Sequence, residues 1–384
     1  MNQQNSQLAI ATGGTSGQID VNSRDYAYSH LALFEASKGS AMVSPNPLVG
    51  CVIVSTSGEV VGEGTYIKEN ITHAEVIALA QAGDRARGGT AYVSLEPHDH
   101  QGKTPPCTEA LINGGIKRVV CPIEDPNPLV SGNGFARLTS AGIEVVTGIL
   151  ADEASRLNEK FICWHKKQRP FVHLKLAMSL DGRISLTNSV STALSGDEAR
   201  ARVQQLRHEH DAILVGGTTA AIDNPSLTDR SGLPRRRPLT RVVLDNRLRL
   251  PCDSILATTT NEAPTLVMTN CIDPEITQPL TDCGVEIVPV EMGARNLVGV
   301  LEELKRRDIQ SVLVEGGCAV AGAFVDAMLV DKVTFMVAPM IIGGSDAPSA
   351  IGGSGAKGLD DALRLSKIEI TRHGDDLELT GYPQ

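Results

Sequence analysis

What most restricts the folding of this chain is a set of side chains that belong together chemically but lie apart in sequence. His73-Ala74-Glu75 is followed by Glu96-Pro97-His98-Asp99-His100-Gln101-Gly102-Lys103-Thr104-Pro105-Pro106-Cys107. His73, His98 and Cys107 can share one metal ion only if two helix starts and the loop after a strand converge on a point. Three protein ligands with one open position is the composition of a catalytic zinc site, whereas a structural site is closed by four. Zinc brings the pKa of coordinated water down to about 7. Glu75, two residues from a ligand, is the group expected to take a proton there and pass it on.

The surrounding pattern supplies those elements. Apolar residues at helical spacing (Tyr26, Leu31, Leu33, Phe34) predict a helix over 23–38 that Gly39 ends. The loop Ser44-Pro45-Asn46-Pro47-Leu48-Val49-Gly50 cannot continue a helix and leads into strands over 51–54 and 59–64, turned at Ser57-Gly58. Thr72 reads as the N-cap of a helix over 73–80 carrying His73 and Glu75 in its first turn, where free N–H groups favour anionic species. A strand over 90–95 runs into the His98 loop, and Pro105-Pro106-Cys107-Thr108-Glu109 opens another helix. Strands follow over 116–121 and 143–146, with the rigid polar loop Asp125-Pro126-Asn127-Pro128 between them. This alternation predicts a three-layer α/β domain.

A length of 384 residues exceeds what one core supports, so two domains are expected. A helix over 151–166 leads to Arg169-Pro170, where the composition resets. The expected division is a disordered leader over 1–22, one domain over 23–167 and a second over 168–384. The second half shows strands over 171–178, 212–215, 241–245, 265–268, 284–288, 311–314, 332–337 and 377–381, with helices over 197–208 and 297–307. A Rossmann dinucleotide site is not indicated there. Instead, Gly216-Gly217-Thr218-Thr219, Asp223-Asn224-Pro225-Ser226-Leu227 and Glu315-Gly316-Gly317 stand at strand ends, where glycines let backbone N–H groups approach a phosphate. Arg207 and Arg230 are candidate partners for a substrate phosphate, and Lys103 is the cation expected at the mouth of the first pocket.

A net charge of -10 argues against a general nucleic-acid binder and for a small substrate. No apolar run approaches the ~20 residues that span a bilayer, so no membrane partner is expected. Eight cysteines without scaffold spacing fit a reducing cytoplasm. A homo-oligomer is expected.

An H-x-E followed by a Pro-led ligand cluster is the pattern of zinc deaminases. Together with Ser44-Pro45-Asn46-Pro47 through Gly50-Cys51-Val52, Leu95-Glu96-Pro97, Gly102 to Cys107 and Asp125 to Pro128, it resembles the deaminase half of the bifunctional RibD family of riboflavin biosynthesis. Lys175 to Arg183, Asp223-Asn224-Pro225-x-Leu227, Val243-Leu244-Asp245 and Val314-Glu315-Gly316-Gly317 resemble the reductase half of that family. The resemblance covers about Asp25 to the C-terminus. It implies a cytidine-deaminase-like three-layer α/β/α domain followed by a dihydrofolate-reductase-like α/β domain, with zinc and NADPH as cofactors. The implied reactions are deamination of a diamino-ribosylamino-pyrimidinone phosphate and NADPH reduction of its ribosyl chain to ribityl.

Carried over residue by residue, the resemblance makes His73, His98 and Cys107 the zinc ligands and Glu75 the proton shuttle. Asn46, His100, Lys103 and Asn127 would contact the substrate of the first domain. Ser191, Arg207, Leu227, Arg230 and Glu315 would contact that of the second. Ala177, Ala193, Thr219, Asp223, Asn246, Gly316 and Gly317 would face the coenzyme. Three positions depart from the family. His98 stands where Cys is usual; imidazole keeps a ligand but raises the site's charge by one, which acidifies bound water and weakens zinc retention. Tyr66 stands where His is common. Ala193 stands where Trp is common, which predicts weaker NADPH binding. Two other readings are a reductase with a degraded deaminase domain, and a non-catalytic nucleotide-binding protein; retention of Glu75 speaks against the first.

Overall fold

The structure, a computed structural model, describes residues 24–101, 105–187, 190 and 192–384. The expected leader, Lys103 and Ser191 lie outside these residues.

The first sheet contains β1 (Gly50–Val54), β2 (Val60–Thr65), β3 (Thr90–Val93), β4 (Arg118–Cys121) and β5 (Glu144–Thr147), in the order β2-β1-β3-β4-β5. β1 runs antiparallel to both β2 and β3, while β3, β4 and β5 are parallel. Alternation along β1 builds two apolar layers. Cys51 and Ile53 join Ala74, Ala78, Leu111 and Leu138 from α2 (Ala74–Ala82), α3 (Cys107–Asn113) and α4 (Asn133–Ser140). Val52 and Val54 join Ala32 of α1 (Arg24–Ser37) on the other face. The expected three layers are present.

Helix α2 lies unusually close to β2 because two residues of that strand lack side chains. A Cβ at Gly62 would stand 2.1 Å from Ala78 O, and one at Gly64 2.1 Å from Ala74 O. This approach sets the depth at which the start of α2 carries its functional groups. The helix begins one residue later than expected: His73 is the N-cap, and the Thr72 hydroxyl donates instead to Asn70 O.

The predicted helix over 151–166 is two helices, α5 (Ala151–Leu157) and α6 (Glu159–Lys166). They part at Asn158, whose amide donates to Leu48 O and accepts from Leu48 N, both at 2.9 Å. A buried side chain that satisfies a distant loop here takes precedence over helix continuity.

The second sheet contains β6 (Phe171–Ser179), β7 (Ala212–Gly216), β8 (Thr240–Leu244), β9 (Thr265–Thr269), β10 (Glu286–Pro289), β11 (Ser311–Gly316), β12 (Lys332–Ala338), β13 (Leu365–His373) and β14 (Asp376–Pro383). Its order is β10-β9-β8-β7-β11-β6-β12-β14-β13. Neighbours are parallel from β10 to β12, and β14 and β13 are added antiparallel. The inner parallel strands β9, β8, β7, β11 and β6 are largely buried on both faces, as crossover connections require, while edge strand β10 is partly exposed. One face packs on α11 (Leu297–Arg306) and α12 (Cys318–Asp326). The other meets α8 (Gly217–Asp223), α9 (Ile255–Thr258) and α10 (Pro274–Asp282), and α7 (Asp197–His208) covers Leu313 and Met336. Among the described residues, no helix is long and apolar enough to cross a membrane.

Candidate active sites

Three elements bring the first site together. The N-cap of α2 presents His73, the loop after β3 presents His98, and the first residue of α3 is Cys107. One ligand atom from each lies within 4.8 Å of the others. Tetrahedral zinc with bonds of about 2.0–2.3 Å needs edges near 3.5 Å, so the trio is close to that spacing. The His73 and His98 rings meet edge to face at 4.5 Å, and His100 follows at 4.8 Å from His98.

The electrostatics match a metal-binding donor set. Burial, then the neighbouring His73 and His100, hold the His98 imidazole down at about 4. It is neutral at pH 7, the form that ligates a metal. Its Nδ1 is buried without a partner, and so is Oε2 of Glu75, a residue only 2 % exposed. Two orphaned buried polar atoms beside three converging donors fit an ion and its water. Burial pushes the Glu75 carboxyl up, opposed by His73 and the Cys107 thiol. Burial also pushes the Cys107 thiol up, a tendency that ligation reverses because a coordinating thiol is deprotonated.

The pocket walls are fixed by polar contacts. Asn46 donates to the Tyr66 hydroxyl at 2.6 Å, and the Tyr66 ring stands 5.3 Å from that of His73. Tyr66 thus ties the Asn46 loop to a metal ligand. Thr108 Oγ1 donates to Asp99 at 2.5 Å, closing the His98 loop onto the start of α3. Asn127 lies in a turn in which its Oδ1 accepts from Leu129 N.

Sequence reasoning assigned no role to Glu96, which anchors that turn. Its carboxylate, 4 % exposed, accepts from the N–H groups of Asp125, Gly132, Gly134 and Phe135 at 3.0, 3.0, 2.9 and 3.3 Å. A carboxylate directly before Pro97-His98 therefore holds the Asn127 loop against the metal-ligand loop. The available signal was a Glu in an otherwise apolar strand end.

The second site is a pair of adjoining clefts at the C-terminal ends of the parallel strands, where open α/β sheets bind ligands. The larger, ≈ 630 Å³, is lined by Ala177, Thr219, Asp223, Gly316 and Gly317, five of the expected coenzyme contacts. Gly317 has φ 69°, which glycine adopts without strain, and it turns the chain into α12 so that Cys318 and Ala319 also line the cleft. Gly217 at the start of α8 faces Asp245, whose carboxylate carbon would stand 2.3 Å from any Cβ there. Gly217 and Gly317, at the starts of α8 and α12, both line the cleft, so backbone N–H groups there can approach a dinucleotide's phosphates. Ala193 and Asn246 do not line it; Asn246 Oδ1 accepts from Ala294 N at 2.7 Å. Gly353-Ser354-Gly355-Ala356-Lys357-Gly358, which has the spacing of a Rossmann fingerprint, lies in an exposed irregular segment with neither the strand nor the helix that motif requires.

The smaller cleft, ≈ 390 Å³, is lined by Lys175, Arg200, Arg207, Arg230 and Glu315 among others. Arg207 and Glu315 form a two-pronged pair at 2.9 and 2.9 Å, with the Lys175 ammonium 4.0 Å from Glu315. Burial would raise the Glu315 carboxyl, but Arg207 and Lys175 outweigh it and hold it down at about 2. Lys175 and Glu315 line both clefts and mark where the two meet. The sequence marks Lys175 only as a lysine inside the apolar run Phe171–Ser179. Leu227 is 3 % exposed, packs in the core with a φ of 48° and lines neither cleft.

Residues 22–123 match the cytidine and deoxycytidylate deaminase zinc-binding region, and residues 170–379 match the RibD C-terminal domain. The riboflavin biosynthesis protein RibD of Bacillus amyloliquefaciens is 41% identical, with 93% of this chain and 96% of that one covered. RibD of Escherichia coli K12 is 37% identical over 92% of this chain and 98% of its own. Among solved structures, Acinetobacter baumannii RibD superposes with a TM-score of 0.83 at 36% identity, covering 94% of this chain and 99% of that one. A Thermotoga maritima diaminohydroxyphosphoribosylaminopyrimidine deaminase/5-amino-6-(5-phosphoribosylamino)uracil reductase gives 0.81 at 33% identity over the same shares. With a metal-binding donor set in one sheet domain and a coenzyme cleft in the other, the chain belongs to the RibD family of bifunctional riboflavin biosynthesis enzymes, a zinc-dependent deaminase joined to an NADPH-dependent reductase.

Proposed function

We propose that this chain deaminates 2,5-diamino-6-(5-phosphoribosylamino)pyrimidin-4-one and then reduces the ribosyl chain of the product to ribityl, both sites being active. The observation that carries this reading is the convergence of His73, His98 and Cys107 beside the buried Glu75 carboxyl, whose Oε2 has no partner. A degraded deaminase would have no reason to preserve that group at the cost of burying it. Zinc held by His73, His98 and Cys107 would lower the pKa of the attacking water. Glu75 takes a proton from the attacking water and returns it to the departing amino group, a role its burial favours by raising its proton affinity. Asn46, His100, Lys103 and Asn127 hold the pyrimidine and its ribose phosphate.

In the second domain, the glycine-lined cleft would hold NADPH and the cleft of Arg207 and Arg230 the ribosyl chain, with Ser191 a further expected contact. The Lys175 ammonium, which lines both clefts, would supply the proton to the nitrogen as hydride adds to the adjoining carbon. Orientation supplies most of the rate, since hydride donor and acceptor are held rather than activated. The division into domains at about residue 167 is supported by the two sheets on either side of it. A small phosphorylated pyrimidine as substrate, rather than nucleic acid, is consistent with the net charge of -10. The eight free thiols suit a reducing cytoplasm. A homo-oligomer is supported by the exposed Ile368 and Ile370 on edge strand β13. The test is to incubate the protein with the pyrimidine phosphate, with and without NADPH, and to identify products by mass. Ammonia release without NADPH and the ribityl product with it are expected; reduction without prior deamination would overturn the reading.

A further inference from the structure

The loop that presents Asn46 to the deaminase pocket is held largely by the other domain. Ser44 Oγ donates to Asp211 Oδ2 at 2.7 Å, and Asp211 lies at the start of β7. Arg236 donates to Ser44 O at 2.9 Å, and its backbone N–H donates to Ala41 O at 3.0 Å. Gln310, which precedes β11, donates its amide to Pro45 O at 2.6 Å. On the deaminase side, Asn158 holds the far end of the loop at Leu48, Lys68 reaches Ser44 O at 3.4 Å, and Asn46 bonds Tyr66. A cavity of ≈ 50 Å³ remains beneath the loop, lined by Ser44, Asn46, His210, Asp211 and Gln310 among others. Hydrogen bonds rather than close packing therefore fix where Asn46 stands.

The reductase-side groups are themselves rigidly mounted. Asp211 also accepts from the backbone N–H groups of Gln310 and Ser311, at 2.9 and 3.2 Å, so β7 and β11 are locked at the point of contact. Arg235, next to Arg236, bonds Asp229 at 2.8 Å, His210 O at 2.9 Å and Arg237 O at 2.7 Å. A support that cannot yield transmits its position to whatever it holds.

We infer that Arg236 and Gln310, both in the reductase domain, are positioning residues for the deaminase reaction: they set the Ser44-Pro45 backbone from which Asn46 meets the pyrimidine. This deepens the proposed function and rests on its reading of Asn46 as a substrate contact. Arg236 also pairs with Glu69 at 3.8 Å, but neither residue belongs to the metal trio or lines the reductase clefts, so removal of either should impair deaminase binding and spare reduction.

The test uses the full chain loaded with zinc, with both activities measured separately. Arg236→Ala and Gln310→Ala should each raise the deaminase KM by about three- to tenfold, the worth of one hydrogen bond, with zinc content and the reductase kcat and KM unchanged. Arg236→Lys keeps a donor in reach of Ser44 O and should restore most of the loss, which a merely structural defect would not allow. Asn46→Ala is run beside them. A raised deaminase KM in Asn46→Ala with wild-type values in both reductase-domain variants overturns the inference. Parallel losses of both activities in Arg236→Ala and Gln310→Ala overturn it as well. An unchanged KM in Asn46→Ala overturns the reading of Asn46 itself, and the inference with it.

Discussion

Glu96→Gln is a small change with a large expected consequence. The carboxylate accepts four backbone N–H groups, two on each oxygen. An amide in its place keeps two of those bonds and turns an NH2 group against the other two donors. Asp125 N and Gly134 N are buried, so at least one of them is left without a partner or water. Hydrogen bonds to a charged group contribute about 1.5–3 kcal/mol each, so the loss of two costs roughly 3–6 kcal/mol. The neighbourhood cannot adjust to reduce this, because Gly134 already lies so close that a Cβ there would stand 1.9 Å from Pro97 O. For a unit of about 150 residues this lowers the melting midpoint by roughly 10 °C. The assay is thermal unfolding of the full chain together with the two activities: the first transition should fall, the deaminase KM should rise as the Asn127 loop loosens, and the reductase should be unchanged. A midpoint within about 2 °C of wild type, with an unchanged deaminase KM, would refute the role given to Glu96.

Other outcomes follow from the same contacts. Glu315 is held at about 2 against a usual 4.5, so its contribution to stability is fully present above about pH 4.5 and is lost as pH falls towards 2, about 3 kcal/mol in all. Acid titration of unfolding should show this dependence in wild type, and Glu315→Gln should remove it while weakening substrate binding; an unaltered acid limb would contradict the pairing. Gly64→Ala places a methyl group against Ala74 O, which should displace α2 and abolish deamination while zinc-independent reduction persists; normal deaminase activity would exclude the close approach as a requirement. His98→Cys adds a thiolate and should slow zinc transfer to a chelator at least about tenfold, and faster transfer would show that the site was built for imidazole.

The metal trio was legible because its chemistry is written in short motifs, each on an element whose type follows from local signals: Pro-Pro before Cys107, a strand before His98, and apolar spacing after His73. The parallel strands were legible as apolar runs. What local pattern could not show is what distant chain imposes. Asn158 ends a helix that the sequence would continue, because its amide is committed to Leu48. β13, with most of its residues exposed, reads as surface until β14 pairs with it. Lys175 and Glu96 stand in apolar contexts, and only the partners brought by the fold, Glu315 for one and four N–H groups for the other, explain why a charge is tolerated there. The grip of Arg236 and Gln310 on the Asn46 loop joins segments that share no pattern at all.

The central claim is that His98 completes a working zinc site in place of the usual cysteine. Zinc per chain, measured by elemental analysis on protein purified without added metal, tests it most directly. About one zinc per chain is expected in the wild type, with a marked loss in His98→Ala, His73→Ala and Cys107→Ala alike. A wild-type chain that holds no stoichiometric transition metal, or a His98→Ala variant that retains its zinc, would contradict it.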